Sequence, residues 1–216
     1  MTAELPADIP LFPLPNVVLF PGVALPLHIF EPRYREMVRE TLATPHRMIG
    51  MTLLRGDWRP QYYGNPDVFL VGCAGRVVSS EPLADGRYNI RLHGVREFVI
   101  ANEIRDRSYR RGTVEWRSAA AGALSGELRE RLRAVIGRLT AGQRSEAAIK
   151  LFDDPSVADE LMVNFFCFAL DFSPIEKQGL LEAASVAERA ERLSDVAEFA
   201  LGAGTFSSGE PGGQPH

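Results

Sequence analysis

Cysteine is nearly missing from this 216-residue chain: there are 2, Cys73 and Cys167, far apart and without CxxC spacing. Neither a disulfide framework nor a structural zinc site has anything to build on, and two buried free thiols in a reducing compartment is the plain reading. Lysine is as scarce, since Lys150 and Lys177 are the whole supply and arginine carries nearly all the positive charge. A net charge of −4 gives no global pull toward nucleic acid. Long apolar runs are absent too. The densest outside the opening segment, Leu161 to Leu170, is about half the ~20 residues a spanning helix needs. The start, MTAELPADIP, has neither a basic n-region nor an uninterrupted apolar core, so no export signal is expected and the reading is a soluble, cytoplasmic protein. Catalytic signatures are missing as well. No GxxxxGK[ST], GxSxG, HExxH or GxGxxG pattern occurs, so no catalytic residue, cofactor or metal is expected and the chain reads as a non-enzyme. His28, His46, His93 and His216 do not converge in sequence, and Asp153-Asp154 lacks the further ligands a hard cation needs.

What is present begins with residues 10–34, PLFPLPNVVLFPGVALPLHIFEPRY. Prolines 10, 13, 15, 21 and 26 punctuate an apolar run, and proline lacks the N–H donor and clashes with the preceding turn, so no long helix forms there. Short extended segments joined by bends fit instead, LPLHIF among them, with Pro21-Gly22 as the turn. Glu31-Pro32 then opens a helix, proline being favoured at its first position. Residues 32–43 place Tyr34, Met37, Val38 and Leu42 near one face.

Met48 to Leu54 reads as a buried strand, and Arg55 to Pro66 as a loop broken by glycine, proline and Asn-Pro. A meander follows, with strands near 68–80, 87–93, 95–103 and 112–117, a hairpin turn at Asp85-Gly86 and a second, weaker turn signal at His93-Gly94. Ala119 to Gly126 is small and flexible, a natural boundary. Beyond it Leu124, Leu128, Leu132, Val135, Ile136 and Leu139 recur at helical spacing. Ser156 with Asp159, Ser173 with Glu176 and Ser185 with Glu188 mark helix starts, giving helices near 156–171, 174–184 and 186–201.

The order of these pieces resembles the substrate-binding N-terminal domain of the Lon protease family. Phe20-Pro21-Gly22, Pro26-Leu27 and Phe30-Glu31-Pro32-Arg33-Tyr34 carry the likeness, the last in the form of the free-standing bacterial members. Gly72-Cys73-Ala74-Gly75 fits the family's Gly-x-x-Gly strand, while in Gly94-Val95-Arg96-Glu97-Phe98 the arginine sits one place early. EKQGLLEAASVAERAERL is similar to the closing helical segment, with Ser185 where the family usually has an aspartate. The resemblance covers about residues 9–201 and implies an α+β fold, a PUA-like β pseudobarrel followed by a C-terminal α-helical bundle. The expected division is a tail over 1–8, the pseudobarrel with one helix over 9–118, the bundle over 119–201 and a Gly/Ser/Pro tail over 202–216. The ATPase and peptidase modules of a Lon protease have no counterpart in these motifs.

Two surfaces stand out. Trp58, Tyr62 and Tyr63 share one loop with Arg55 and Arg59; they either present a peptide-binding surface or fold back over the barrel mouth. Glu31, Arg33 and Tyr34 either line a groove or serve the helix start through capping and a salt bridge. With Phe30, these seven are the candidate polypeptide-binding residues: Phe30, Glu31, Arg33, Tyr34, Trp58, Tyr62 and Tyr63. The function the resemblance implies is non-catalytic capture of exposed apolar segments of client proteins, by strand addition and apolar pockets, for a protease elsewhere. The alternative is an RNA-binding module using Arg105, Arg107, Arg110, Arg111 and Arg117 with Tyr109 and Trp116, though Glu103, Asp106 and Glu115 dilute that patch.

Overall fold

A computed structural model describes residues 5–118, 122–141 and 145–203, with only the backbone of 145–148. The expected tails therefore lie outside the described residues over 1–4 and 204–216, as do 119–121 of the expected boundary. The chain forms β1 (Asp8–Leu14), β2 (Ala24–Ile29), α1 (Pro32–Ala43), β3 (Met48–Leu53), β4 (Val71–Pro82), β5 (Tyr88–Ile104) and β6 (Arg111–Trp116). It continues as α2 (Gly126–Leu139), α3 (Ser145–Asp153), α4 (Asp159–Ala169), α5 (Pro174–Leu181) and α6 (Val186–Gly202). The class is α+β, with a mixed six-stranded sheet ordered β2-β5-β4-β3-β1-β6.

That sheet closes on itself because β5 also pairs with β6. β1 runs parallel to β3, Leu11 opposite Gly50, and then antiparallel to β6, Asp8 opposite Thr113. β5 pairs with β2 over its first residues, Tyr88 opposite Ile29, and with β6 over its last, Ile104 opposite Arg111. A closed ring removes sheet edges, leaving β2 with an unpaired flank among the described strands. Inside, Ile9, Leu11, Met48, Phe98, Ile100 and Val114 form one apolar cluster, each such side chain contributing ~1.5–3 kcal/mol on leaving water.

Local chemistry accounts for the turns. Phe20–Val23 is a tight turn in which Val23 N–H donates to Phe20 O at 3.2 Å, and Gly22 supplies the required φ of 79°. His93-Gly94 is not a turn. β5 continues through it, with a register shift against β4 between Gly94 and Arg96, and Gly94 is where the Phe20–Val23 turn docks. Gly22 N–H donates to Gly94 O at 2.9 Å and Gly94 N–H to Val23 O at 2.8 Å, and a Cβ on Gly94 would lie 2.0 Å from Phe20 O. The glycine signals close approach of another strand rather than reversal of its own.

The chain divides into two compact units, Met1–Ala119 with Asn164–Glu182, and Ala120–Val163 with Ala183–His216. Residues 164–182, expected with the helical part, are hydrogen-bonded into the barrel unit. Gln178 Nε2 donates to Val71 O at 3.0 Å, Asn164 Nδ2 to Pro21 O at 3.1 Å and Arg117 to the carbonyls of Leu181 and Glu182. In the other unit α2 packs along α6, with Arg131 bonded to Asp195 and Glu198. Ser173-Glu176 is a complete capping box, and Ser185 caps α6 through Glu188 N–H. Ser156 caps nothing. Its hydroxyl bonds Asp154, while Asp159 is engaged by Arg129 and by Leu124 N–H, so α4 starts at Asp159. No helix among the described residues is long and apolar enough to cross a membrane.

Candidate functional site

The start of α1 organises the first half of the site. Glu31 occupies the N-cap position, with φ −65° and ψ 135°, and its carbonyl accepts from Tyr34 N–H at 3.0 Å and Arg35 N–H at 2.9 Å. Its carboxylate does not cap the helix. One oxygen accepts from Tyr62 OH at 2.6 Å and the other from Arg33 Nε at 3.0 Å. Tyr34 turns inward and packs its ring 4.3 Å from that of Phe12, and burial pushes its phenol well above the usual tyrosine range. Arg33 stays between, its guanidinium 4.6, 5.3 and 6.0 Å from the ring centres of Tyr34, Tyr62 and Tyr63. A cation over several π faces is attracted to each by the ring quadrupole.

The loop supplies the second wall. Trp58 and Tyr62 are half-buried against the barrel cluster, 5.8 Å apart, so both close over the core. Burial, with the Glu31 carboxylate as a hydrogen-bond acceptor, pushes the Tyr62 phenol up to about 12. Tyr63 does the opposite. It meets Tyr62 edge-on at 5.2 Å and is 87% exposed. Two of the three loop aromatics thus serve as a lid and hold the third outward.

The third wall is the segment joining β5 to β6, and here the two surfaces read separately in the sequence come together. Arg33, Tyr34 and Tyr63 line one cleft of about 280 Å³ with Arg105, Tyr109 and Arg110. The 105–110 segment is tied to α1. Tyr109 OH donates to Glu40 at 2.6 Å, Arg107 donates to the same carboxylate at 3.2 Å, and Ser108 donates to Glu36. The Tyr109 bond and Arg107 hold the Glu40 carboxyl below its ordinary range, while burial and that bond push Tyr109 up to about 12. Arg110 bonds Pro66 O at 2.6 Å and pairs with Glu103, Arg111 with Asp106, and Arg117 with Glu97. The arginine patch is thereby largely neutralised by its own neighbours, which disfavours a polyanionic ligand.

Phe30, 60% exposed, does not join this cleft; it stacks on His28 at the end of β2, 6.3 Å away. Glu36 and Glu40 were not singled out in the sequence. Their spacing on α1, one turn apart on the face beside Tyr109, is the signal that could have found them. β2 has a flank open to strand addition, but Pro26 at its centre offers no N–H there. No group of side chains among the described residues is arranged to hold a metal ion.

A closed mixed barrel with an aromatic and arginine-lined cleft beside its first helix defines the class, an α+β domain built on a β-barrel. The chain belongs to the Lon substrate-binding domain family: the family model for the "ATP-dependent protease La (LON) substrate-binding domain" matches residues 8–197. It is similar to a Lon protease of Paraburkholderia phytofirmans, 30% identical over 206 residues, covering 90% of this chain and 25% of the relative. Lon protease 2 of Sorangium cellulosum is 28% identical over 192 residues, covering 84% of this chain and 23% of the relative. The chain thus spans about a quarter of the length of these proteases. Among solved structures it resembles a Lon N-terminal domain protein from Xanthomonas campestris, with TM-score 0.65, 26% identity, and coverage of 86% of this chain and 96% of that one. The N-terminal domain of a Mycobacterium avium complex Lon protease shares the fold, with TM-score 0.68, 14% identity, and coverage of 88% and 98%.

Proposed function

We propose that the chain is a non-catalytic polypeptide-binding module that holds exposed apolar segments of client proteins at the cleft beside α1. Membership in the substrate-binding domain family supports binding of protein substrates. The observation that carries the site is Tyr63, 87% exposed yet braced by Tyr62 and Arg33 at the cleft wall. A rigid, exposed aromatic buries area on a partner at little entropic cost. Glu31, Tyr62 and Trp58 act as its support, Arg33 and Tyr34 as the cleft floor, and Phe30 stands apart. Clients enter through side-chain contacts more than strand addition, since Pro26 interrupts the free flank of β2.

The test is fluorescence anisotropy of a labelled, permanently unfolded polypeptide titrated with the protein at low and high salt. Saturable binding that survives salt is expected, and Tyr63→Ala weakens it by roughly tenfold, the loss of a hot-spot aromatic, without changing the melting temperature. Wild-type binding that Tyr63→Ala leaves intact removes the cleft from the account, and binding that vanishes with salt removes the apolar reading.

A further inference from the structure

The cleft's arginines are not equivalent. Arg33 is paired with Glu31, Arg107 with Glu40, and Arg110 with Glu103. Arg105, exposed in the same cleft, has no hydrogen bond or ion pair among the described residues. The wall also holds an unused donor, because the Nε–H of Arg110 is buried without an acceptor. A buried donor without a partner is unfavourable until something accepts from it.

We propose that the client segment held at this cleft carries one carboxylate side chain, an aspartate or glutamate next to an apolar or aromatic residue, and that Arg105 pairs with it. This rests on the client-binding reading above. Charge complementarity sets the number at one: a single guanidinium is uncompensated, and a second acidic group meets Glu103 and Asp106 already in place. The apolar neighbour lies against Tyr63, and the carboxylate oxygens take the Arg105 fork, a geometry that guanidinium matches and ammonium does not. A nucleic-acid strand, with a charge at every phosphate, fits this arrangement poorly.

Three short labelled peptides separate the possibilities: one with an internal Leu-Asp-Phe and an amidated C-terminus, its Leu-Asn-Phe counterpart, and the Asn peptide with a free C-terminal carboxylate. By anisotropy the Asp peptide binds about five- to tenfold tighter than the Asn peptide, and the gap closes at high salt, where exposed charges are screened. Arg105→Gln abolishes that preference, and Arg105→Lys keeps part of it. Equal affinity for the Asp and Asn peptides, or a preference untouched by Arg105→Gln, overturns the carboxylate assignment while leaving client binding in place. A gain that follows the free C-terminus instead overturns the side-chain source. If neither peptides nor the unfolded polypeptide bind, the client reading itself fails and takes this one with it.

Discussion

Replacing Glu31 with alanine removes a carboxylate that joins the start of α1 to the aromatic loop. Two charge-assisted bonds are lost, from Tyr62 OH at 2.6 Å and Arg33 Nε at 3.0 Å. Such bonds are worth ~1.5–3 kcal/mol each. The Glu31 and Arg33 side chains are 14% and 21% exposed, so the pair is mostly shielded, and removal of one member leaves the other underserved. Arg33 keeps the Tyr62 carbonyl at 3.4 Å and some access to water, which offsets part of the loss. The net destabilisation is therefore about 2–3 kcal/mol rather than the full sum. In a thermal melt that is a fall of roughly 5–10 °C. Tyr62→Phe alone costs about 1–2 kcal/mol, and the double variant loses less than the two singles together, with a coupling of about 1–2 kcal/mol. Glu31→Gln, which keeps an acceptor for Tyr62 but no charge, falls between wild type and Glu31→Ala. Strict additivity, or a Glu31→Ala melting temperature equal to wild type, would refute the idea that this carboxylate braces the loop.

Two further perturbations probe other parts of the reasoning. Gly94→Ala places a methyl 2.0 Å from the Phe20 carbonyl and costs about 1–3 kcal/mol by overpacking, measured by urea denaturation; a neutral substitution would remove the docking role given to this glycine. Tyr62 and Tyr109 are both pushed up to about 12, above the ordinary phenol. Between the two values the unfolded chain has released protons that the folded chain still holds, so stability falls as pH rises through that window and is intact below it. Urea midpoints across the alkaline range check the sign, and tyrosinate absorbance should show Glu31→Gln lowering the pH at which Tyr62 ionises. A midpoint that rises with alkalinity contradicts the assignment.

Legibility tracked the range of the interactions involved. Pro32 set the start of α1, and the strand at Met48 and the turn at Pro21-Gly22 fell where local chemistry put them. α3 was not foreseen, since no serine-to-acid spacing marks its start. His93-Gly94 misled because glycine serves turns and close approach alike, and only the chain that arrives beside it separates the two. Ser156 misled because Asp159 was engaged by Arg129 from 30 residues away. At the site, the E-P-R-Y segment and the loop aromatics were visible as residues, but their split into lid and exposed face was not.

By itself the sequence determined the class and family of this protein, because prolines, turn glycines and helix starts act within a few residues and leave their marks in local spacing. Tertiary structure decided what the marked residues do. Closure of β5 on β6 carried the 105–110 segment to α1, matched most of its arginines with acids, and left Tyr63 and Arg105 in one cleft. The bonds that tie the aromatic loop and the 105–110 segment to the Glu31–Glu40 stretch, from Tyr62, Arg107 and Tyr109, join residues some 30 to 70 positions apart. Burial and charge at that range depend on which strands meet, and no local pattern records it.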